Sequence, residues 1–166
     1  MSNPRSASWC FTVNNYVAAD IVKIQGILCD FLVYGIERAP TTGTPHLQGY
    51  VEFDVRKRRS TVASLFPHGT HFEAARGSLF QNVAYCTKDG DYWMSDAELL
   101  AAFQASASLT FPSEWLPEEV AEFRLGYNVD WTSEDVSVYM WAHSRYINFL
   151  LSLHPEKSRK KLVGEV

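Results

Sequence analysis

The sequence predicts an α+β fold, an antiparallel sheet with packed helices followed by a smaller helical segment. Three observations predict it. Over residues 1–95, short β-patterned runs alternate with runs at helical spacing. Clusters of Pro, Gly and Asn punctuate them as turns. From residue 96 the β-patterned runs give way to helical ones. At 166 residues, 46% hydrophobic and 20% charged, the chain is long enough for one well-filled core and a smaller second unit. Two domains are therefore expected, 1–95 and 96–166.

Taken in order, WCFTVN at residues 9–14 alternates as a strand, and Asn14 and Asn15 close it as turn formers. DIVKIQGILCDFL places Ile21, Ile24, Ile27, Leu28, Phe31 and Leu32 at helical spacing, with Asp20 as the expected cap. VYGIER at 33–38 reads as a second strand. APTTGTP forms the loop to a third strand over 45–53, PHLQGYVEF, so that the two pair as an antiparallel hairpin. RKRR at 56–59 follows as a solvated loop, and Ser60 opens a short helix, STVASLF, stopped by Pro67 and Gly69. A fourth strand spans 70–75. LFQNVAYCTK at 79–88 is helical, and DYWMS adds a last strand. The order βαββαβαβ describes a ferredoxin-like sheet. Beyond it, AELLAAF and VSVYMWAHSRYINFLLSL predict two or three helices, either a small separate unit or an arm that packs on another subunit.

The net charge of −4 argues against a nucleic-acid partner if taken alone, but it is unevenly distributed. Residues 1–95 hold nine Lys/Arg against eight Asp/Glu, and residues 96–166 hold six against eleven. In the first part the basic residues concentrate at Arg56, Lys57, Arg58 and Arg59, which suits either a solvated loop or contact with phosphates. Cys10, Cys29 and Cys86 are odd in number, widely spaced and without a CxxC pair, so they read as free thiols. No apolar run approaches the roughly 18 residues of a membrane helix, and no signal peptide opens the chain, so no membrane partner and an intracellular location are expected.

On the hairpin, His46 and Gln48 stand two apart on one strand and share a face, with Glu37 near the end of the neighbouring strand. An imidazole, an amide oxygen and a carboxylate make a mixed donor set suited to Mg²⁺ or Mn²⁺ rather than to a thiolate-binding metal. By pattern alone the same residues also fit an ordinary polar sheet face. Tyr85 and Lys88, three apart, share a side of their helix. A tyrosine beside an ammonium is a candidate nucleophile, because the cation favours the phenolate and steadies charge on a phosphate. A packing tyrosine is the alternative. Trp9, Phe11 and Phe53 read as core, with base stacking as the second possibility.

Three motifs in order, FTVNN (11–15), PHLQGYVEF (45–53) and YCTK (85–88), resemble those of the replication initiator proteins of circular single-stranded DNA viruses, closest to the circovirus type. These are rolling-circle HUH endonucleases. The resemblance covers about the first 93 positions, and Glu37 lies nine residues before His46, where the family places its acidic ligand. It implies the HUH endonuclease fold, a divalent cation on Glu37, His46 and Gln48, Tyr85 as nucleophile and Lys88 as its assistant. Gln48 stands where the family name has a second histidine, which favours a hard, modestly bound Mg²⁺ or Mn²⁺. The implied activity is nicking and joining of single-stranded DNA at an origin stem-loop through a 5′-phosphotyrosine. Asn14, Asn15 and Arg56–Arg59 are the candidate DNA contacts.

The resemblance also implies a location in the host nucleus, and in residues 97–166 a linker with helices that assemble homo-oligomers. No GxxxxGK[ST] occurs in the chain, and a fragment ending near the helicase boundary of a longer protein is expected. Two other functions stay open at this point. One is a non-catalytic ferredoxin-like nucleic-acid-binding module, although FTVNN lacks the aromatic-rich signature of RNA-binding sheets. The other is a structural or regulatory protein that keeps the fold without catalysis.

Overall fold

The computed structural model describes residues 4–164. Strand β1 (Arg5–Asn14), helix α1 (Ala18–Gln25), β2 (Phe31–Arg38), β3 (Pro45–Arg58), α2 (Arg59–Ala63), β4 (His71–Ala74), α3 (Leu79–Cys86) and β5 (Tyr92–Met94) follow one another in the expected order. The five strands make one antiparallel sheet in the order β4-β1-β3-β2-β5. With its packed helices this is the α+β architecture that the sequence predicts, the one the HUH resemblance implies.

The period of two assigns the faces. Trp9, Phe11 and Val13 of β1 point one way, joined by Leu47, Val51 and Phe53 of β3, Leu32 and Tyr34 of β2 and Phe72 of β4. Ile24 of α1, Val62 of α2 and Phe66 close over them, Phe66 touching Phe11 at 4.7 Å and Phe72 at 5.0 Å between ring centroids. Trp9, Phe11 and Phe53 are thus core side chains and not stacking platforms. Gly49 is part of the same packing, since a Cβ there would stand 2.0 Å from Phe11 Cζ.

The opposite face carries the polar partners of these residues: Thr12 and Asn14, His46 and Gln48, and Glu37, with Gly35 between. Here the end of α3 comes down on the sheet. A Cβ at Gly35 would lie 1.9 Å from the Cys86 carbonyl oxygen, so the approach of these two backbones depends on a residue without a side chain.

Several boundaries differ from the sequence pattern. β3 does not end at Phe53 but runs to Arg58, so Arg56, Lys57 and Arg58 are strand residues and Arg59 opens α2. The reason is backbone pairing: past a bulge between Ser6 and Ser8, Ser6 pairs with Lys57 and Arg5 with Arg58, without apolar side chains to signal it. α1 stops at its C-cap Gly26, and Phe31 and Leu32 are taken by β2. Asp20 lies inside α1, where its Oδ2 accepts the Val17 N–H at 3.0 Å. α3 ends at Cys86, leaving Lys88 in the turn that follows.

Among the described residues four helices follow where two or three are expected: α4 (Ala97–Ala105), α5 (Pro117–Leu125), α6 (Ser133–Leu153) and α7 (Arg159–Gly164). Thr132 caps α6 reciprocally, its Oγ1 accepting the Asp135 N–H at 3.1 Å while its own N–H donates to Asp135 Oδ2 at 2.9 Å. Two compact units result. Residues up to Arg76 group with Tyr85–Ala97, and Gly77–Ala84 group with the chain from Glu98 onward, so α3 divides between them. Among the described residues no helix is long and apolar enough to cross a membrane.

Gly35→Ala is expected to lower stability by about 2–3 kcal/mol in denaturant titration, the cost of overpacking a backbone contact that cannot yield. Gly69→Ala, at φ 86° with nothing within 4 Å of the added Cβ, is expected to cost only about 1 kcal/mol of backbone strain. Equal losses would show that the Gly35 contact carries no special constraint.

Candidate active site

The antiparallel register sets Glu37 of β2 directly opposite His46 of β3, and Asn14 of β1 opposite His46 on its other side. Glu37 Oε1 and His46 Nε2 are 3.3 Å apart, with side chains only 9% and 16% exposed. The two carboxylate oxygens of Glu37 have separate partners. Oε1 faces the imidazole, and Oε2 takes the ammonium of Lys88.

Lys88 reaches Glu37 from the turn after α3. Its Nζ lies 4.0 Å from the centroid of the Tyr85 ring and 3.4 Å from the Tyr85 carbonyl oxygen. One cation therefore ties the tyrosine to the carboxylate–imidazole pair. The ammonium sits over the ring face rather than at the phenol oxygen, an arrangement of about 0.5–1 kcal/mol at an exposed site. Tyr85 is 49% exposed, and its hydroxyl has no hydrogen-bond partner among the described residues, so the oxygen is open to an incoming group.

Gln48 shares the face of His46 and pairs in register with Gly35 on one side and Thr12 on the other. Thr12 Oγ1 donates to Gln48 Oε1 at 3.2 Å, which orients the amide oxygen. No three His, Cys, Asp or Glu side chains among the described residues form a metal-sized group, so a cation here needs the amide oxygen of Gln48 beside Glu37 and His46. One carboxylate, one imidazole and one amide fit a hard divalent ion that keeps part of its water shell. The nearby thiol offers no competing ligand: burial, with Cys10 and Glu37, pushes Cys86 up to about 12 although Lys88 pulls it down. Cys10 and Cys29 are also raised, mainly by burial, and none of the three cysteines is in a disulfide.

Of the proposed DNA contacts, the asparagines lie at the site's end of the sheet. Asn14 is exposed beside His46, and Asn15 takes φ 53°, a left-handed conformation asparagine tolerates, with its N–H donating to the Pro45 carbonyl at 2.9 Å. The basic run is elsewhere. Arg56 stands ten residues along β3 from His46, about 33 Å at ~3.3 Å per residue. There Arg56 donates to the Arg5 carbonyl at 2.9 Å and Lys57 lies 5.2 Å from the Phe53 ring centroid. Two residues that shape the site escaped the sequence reading, Thr12 and Gly35. A glycine in mid-strand is a recognised sign of close backbone approach and was the available signal for Gly35.

The family model described as "Putative viral replication protein" matches residues 6–89. The chain is 40% identical over 96 residues to the replication-associated protein of Human associated cyclovirus 1, covering 56% of this chain and 34% of that protein. It is 42% identical over 85 residues to the replication-associated protein of Beak and feather disease virus, covering 50% and 29%. A third relative is Para-Rep C1 of Faba bean necrotic yellows C11 alphasatellite, 38% identical over 88 residues, covering 51% and 31%. These matches span about a third of the length of the curated relatives. The family match alone takes in half of the chain, four of the five strands and every residue of the cluster around Glu37; the chain belongs to the replication initiator family of circular single-stranded DNA viruses.

Proposed function

We propose that this chain nicks and rejoins single-stranded DNA at a viral replication origin by tyrosine transesterification. The observation that carries the reading is the Tyr85–Lys88–Glu37–His46 chain of contacts, which joins two motifs from distant parts of the sequence on one sheet face.

The exposed Tyr85 oxygen attacks the scissile phosphorus in line. The P–O3′ bond breaks as the P–O(Tyr) bond forms, and the phenolic proton ends on the departing oxygen, leaving a free 3′-hydroxyl and a 5′-phosphotyrosine. Because one phosphodiester replaces another, a 3′-hydroxyl can reverse the step and join ends. Lys88 holds the Tyr85 ring from its face and balances charge gathered at the phosphate. Glu37 anchors that lysine and orients His46. Glu37, His46 and Gln48 would hold Mg²⁺ or Mn²⁺, which when bound supplies Lewis-acid polarisation of the phosphate. Thr12 keeps the Gln48 oxygen turned to this task.

Asn14 and Asn15, exposed at the His46 end of the sheet, would touch bases beside the cleaved bond. The Arg56–Arg59 segment, at the far end of β3, would hold phosphates of a longer or folded origin strand, such as the duplex part of a stem-loop. Residues 96–166 we assign to a linker and helices for homo-oligomer assembly. The setting is the host nucleus, and activity belongs to the 1–95 domain.

Incubated with Mn²⁺ and single strands derived from an origin hairpin, the wild-type chain is expected to give a covalent DNA adduct on a denaturing gel. Tyr85→Phe should abolish the adduct while retaining DNA binding. An adduct of equal yield from the Tyr85→Phe variant would overturn the assignment, and binding without any wild-type adduct would make the chain a non-catalytic nucleic-acid-binding module. Chelation by EDTA is expected to remove the adduct and fresh Mn²⁺ to restore it. In calorimetric titration His46→Ala should weaken Mn²⁺ binding about tenfold or more; unchanged binding would place the cation elsewhere.

A further inference from the structure

The helical unit contains a cavity that this chemistry does not use. On α5, Glu119, Glu122 and Phe123 fall at i, i+3 and i+4 and share a face, and on α6 Tyr139 contributes one wall. With Trp115 and Trp131, from the segments before the two helices, they bound a space of about 230 Å³.

Its walls are mainly aromatic and hold one another in place. Trp131 and Tyr139 stack with centroids 4.4 Å apart and planes 15° from parallel, while Phe123 meets Trp131 edge-on at 5.7 Å and Trp115 at 6.0 Å. Rings fixed by mutual contact lose little freedom when a guest binds against them.

The two acids differ. Glu119 is buried and fully committed: its Oε1 accepts the Leu116 N–H at 3.0 Å, Arg159 donates to both oxygens at 2.8 Å, and His143 meets Oε2. Burial raises its pKa, but the Arg159 and His143 hydrogen bonds prevail and hold it below the ordinary value. Glu122 is exposed at the cavity, and its carboxylate makes no hydrogen bond or ion pair among the described residues. Among the described residues no Lys or Arg lines the space, and the one basic side chain on its wall, His143, is turned to Glu119 Oε2.

We propose that this cavity binds an organic cation, an alkylated ammonium or a guanidinium group, against the ring faces with Glu122 at its mouth. Ring faces carry negative quadrupole charge, and a carboxylate without a partner adds to the same sign. An anion is repelled. A bare metal ion finds too few oxygen donors, since the rings offer no lone pairs and Glu119 is already taken. The volume lies below the ~300–1,000 Å³ of drug-sized pockets, so it admits a cationic head and its nearest carbons. The cation belongs either to a side chain of a partner polypeptide or to a small free molecule.

The test is an NMR titration of the full 166-residue chain with choline, with its neutral isostere 3,3-dimethylbutan-1-ol, and with N-acetyl-argininamide. Choline or the argininamide is expected to bind saturably, shifting resonances of Trp115, Trp131 and Tyr139, about threefold or more tighter than the neutral isostere. Tighter binding of the argininamide points to a side chain of a partner, and tighter choline binding to a free cation. Glu122→Gln, an exposed change that leaves the rings untouched, should weaken cation binding about twofold to fivefold and leave the isostere unaffected. Trp131→Leu should weaken it further, with circular dichroism to confirm the fold. Equal binding of the neutral isostere, or no saturable shift with either cation, would overturn the proposal.

Discussion

The register of β2 on β3 is the constraint on which the site depends. Glu37 meets His46 because the two are Cα partners, and Gly35 meets Gln48 for the same reason. A slip of one residue would set Glu37 against Leu47 or Pro45 and turn the polar set toward the wrong face. The register is held from the other side of the sheet, where Leu32, Tyr34, Leu47 and Val51 are buried under the helices. The hydrophobic core and the polar cluster are therefore two faces of one pairing, and neither can shift alone.

Much of this was legible in the chain. The order of strands and helices followed from period-two and helical spacing, because most elements up to β5 are bounded by turn residues and bury an apolar face; β3 and α2 adjoin at Arg58 and Arg59 without a turn. Elements that depend on the backbone alone were not legible. The last residues of β3 are charged and exposed, and only the ladder with Arg5 and Ser6 makes them a strand. The end of α1 was masked in a different way: Ile27, Phe31 and Leu32 continue a helical period by coincidence, while Gly26 stops the helix and the sheet claims the last two.

The site followed the same division. His46, Gln48 and Glu37 could be placed on a common face from spacing within a hairpin, and Tyr85 with Lys88 from spacing near a helix end. That the two groups touch is a tertiary fact, made by Lys88 bridging 51 positions of sequence to Glu37. The density of Arg56–Arg59 suggested contact with phosphates, and the strand that carries Arg56–Arg58 carries them away from the Glu37–His46 end of the sheet. A rigid strand converts a short sequence separation into a long distance, and a folded turn does the reverse.

The contact between Gly35 and the Cys86 carbonyl distributes evolutionary freedom unequally. It is made by a carbonyl oxygen on one side and an absent side chain on the other. Every amino acid has that oxygen, so the contact itself asks nothing of the residue type at 86, where burial alone limits the choice. Position 35 has a single solution. The residue after Tyr85 can therefore be exchanged at this docking point, provided that position 35 in the middle of its strand stays glycine.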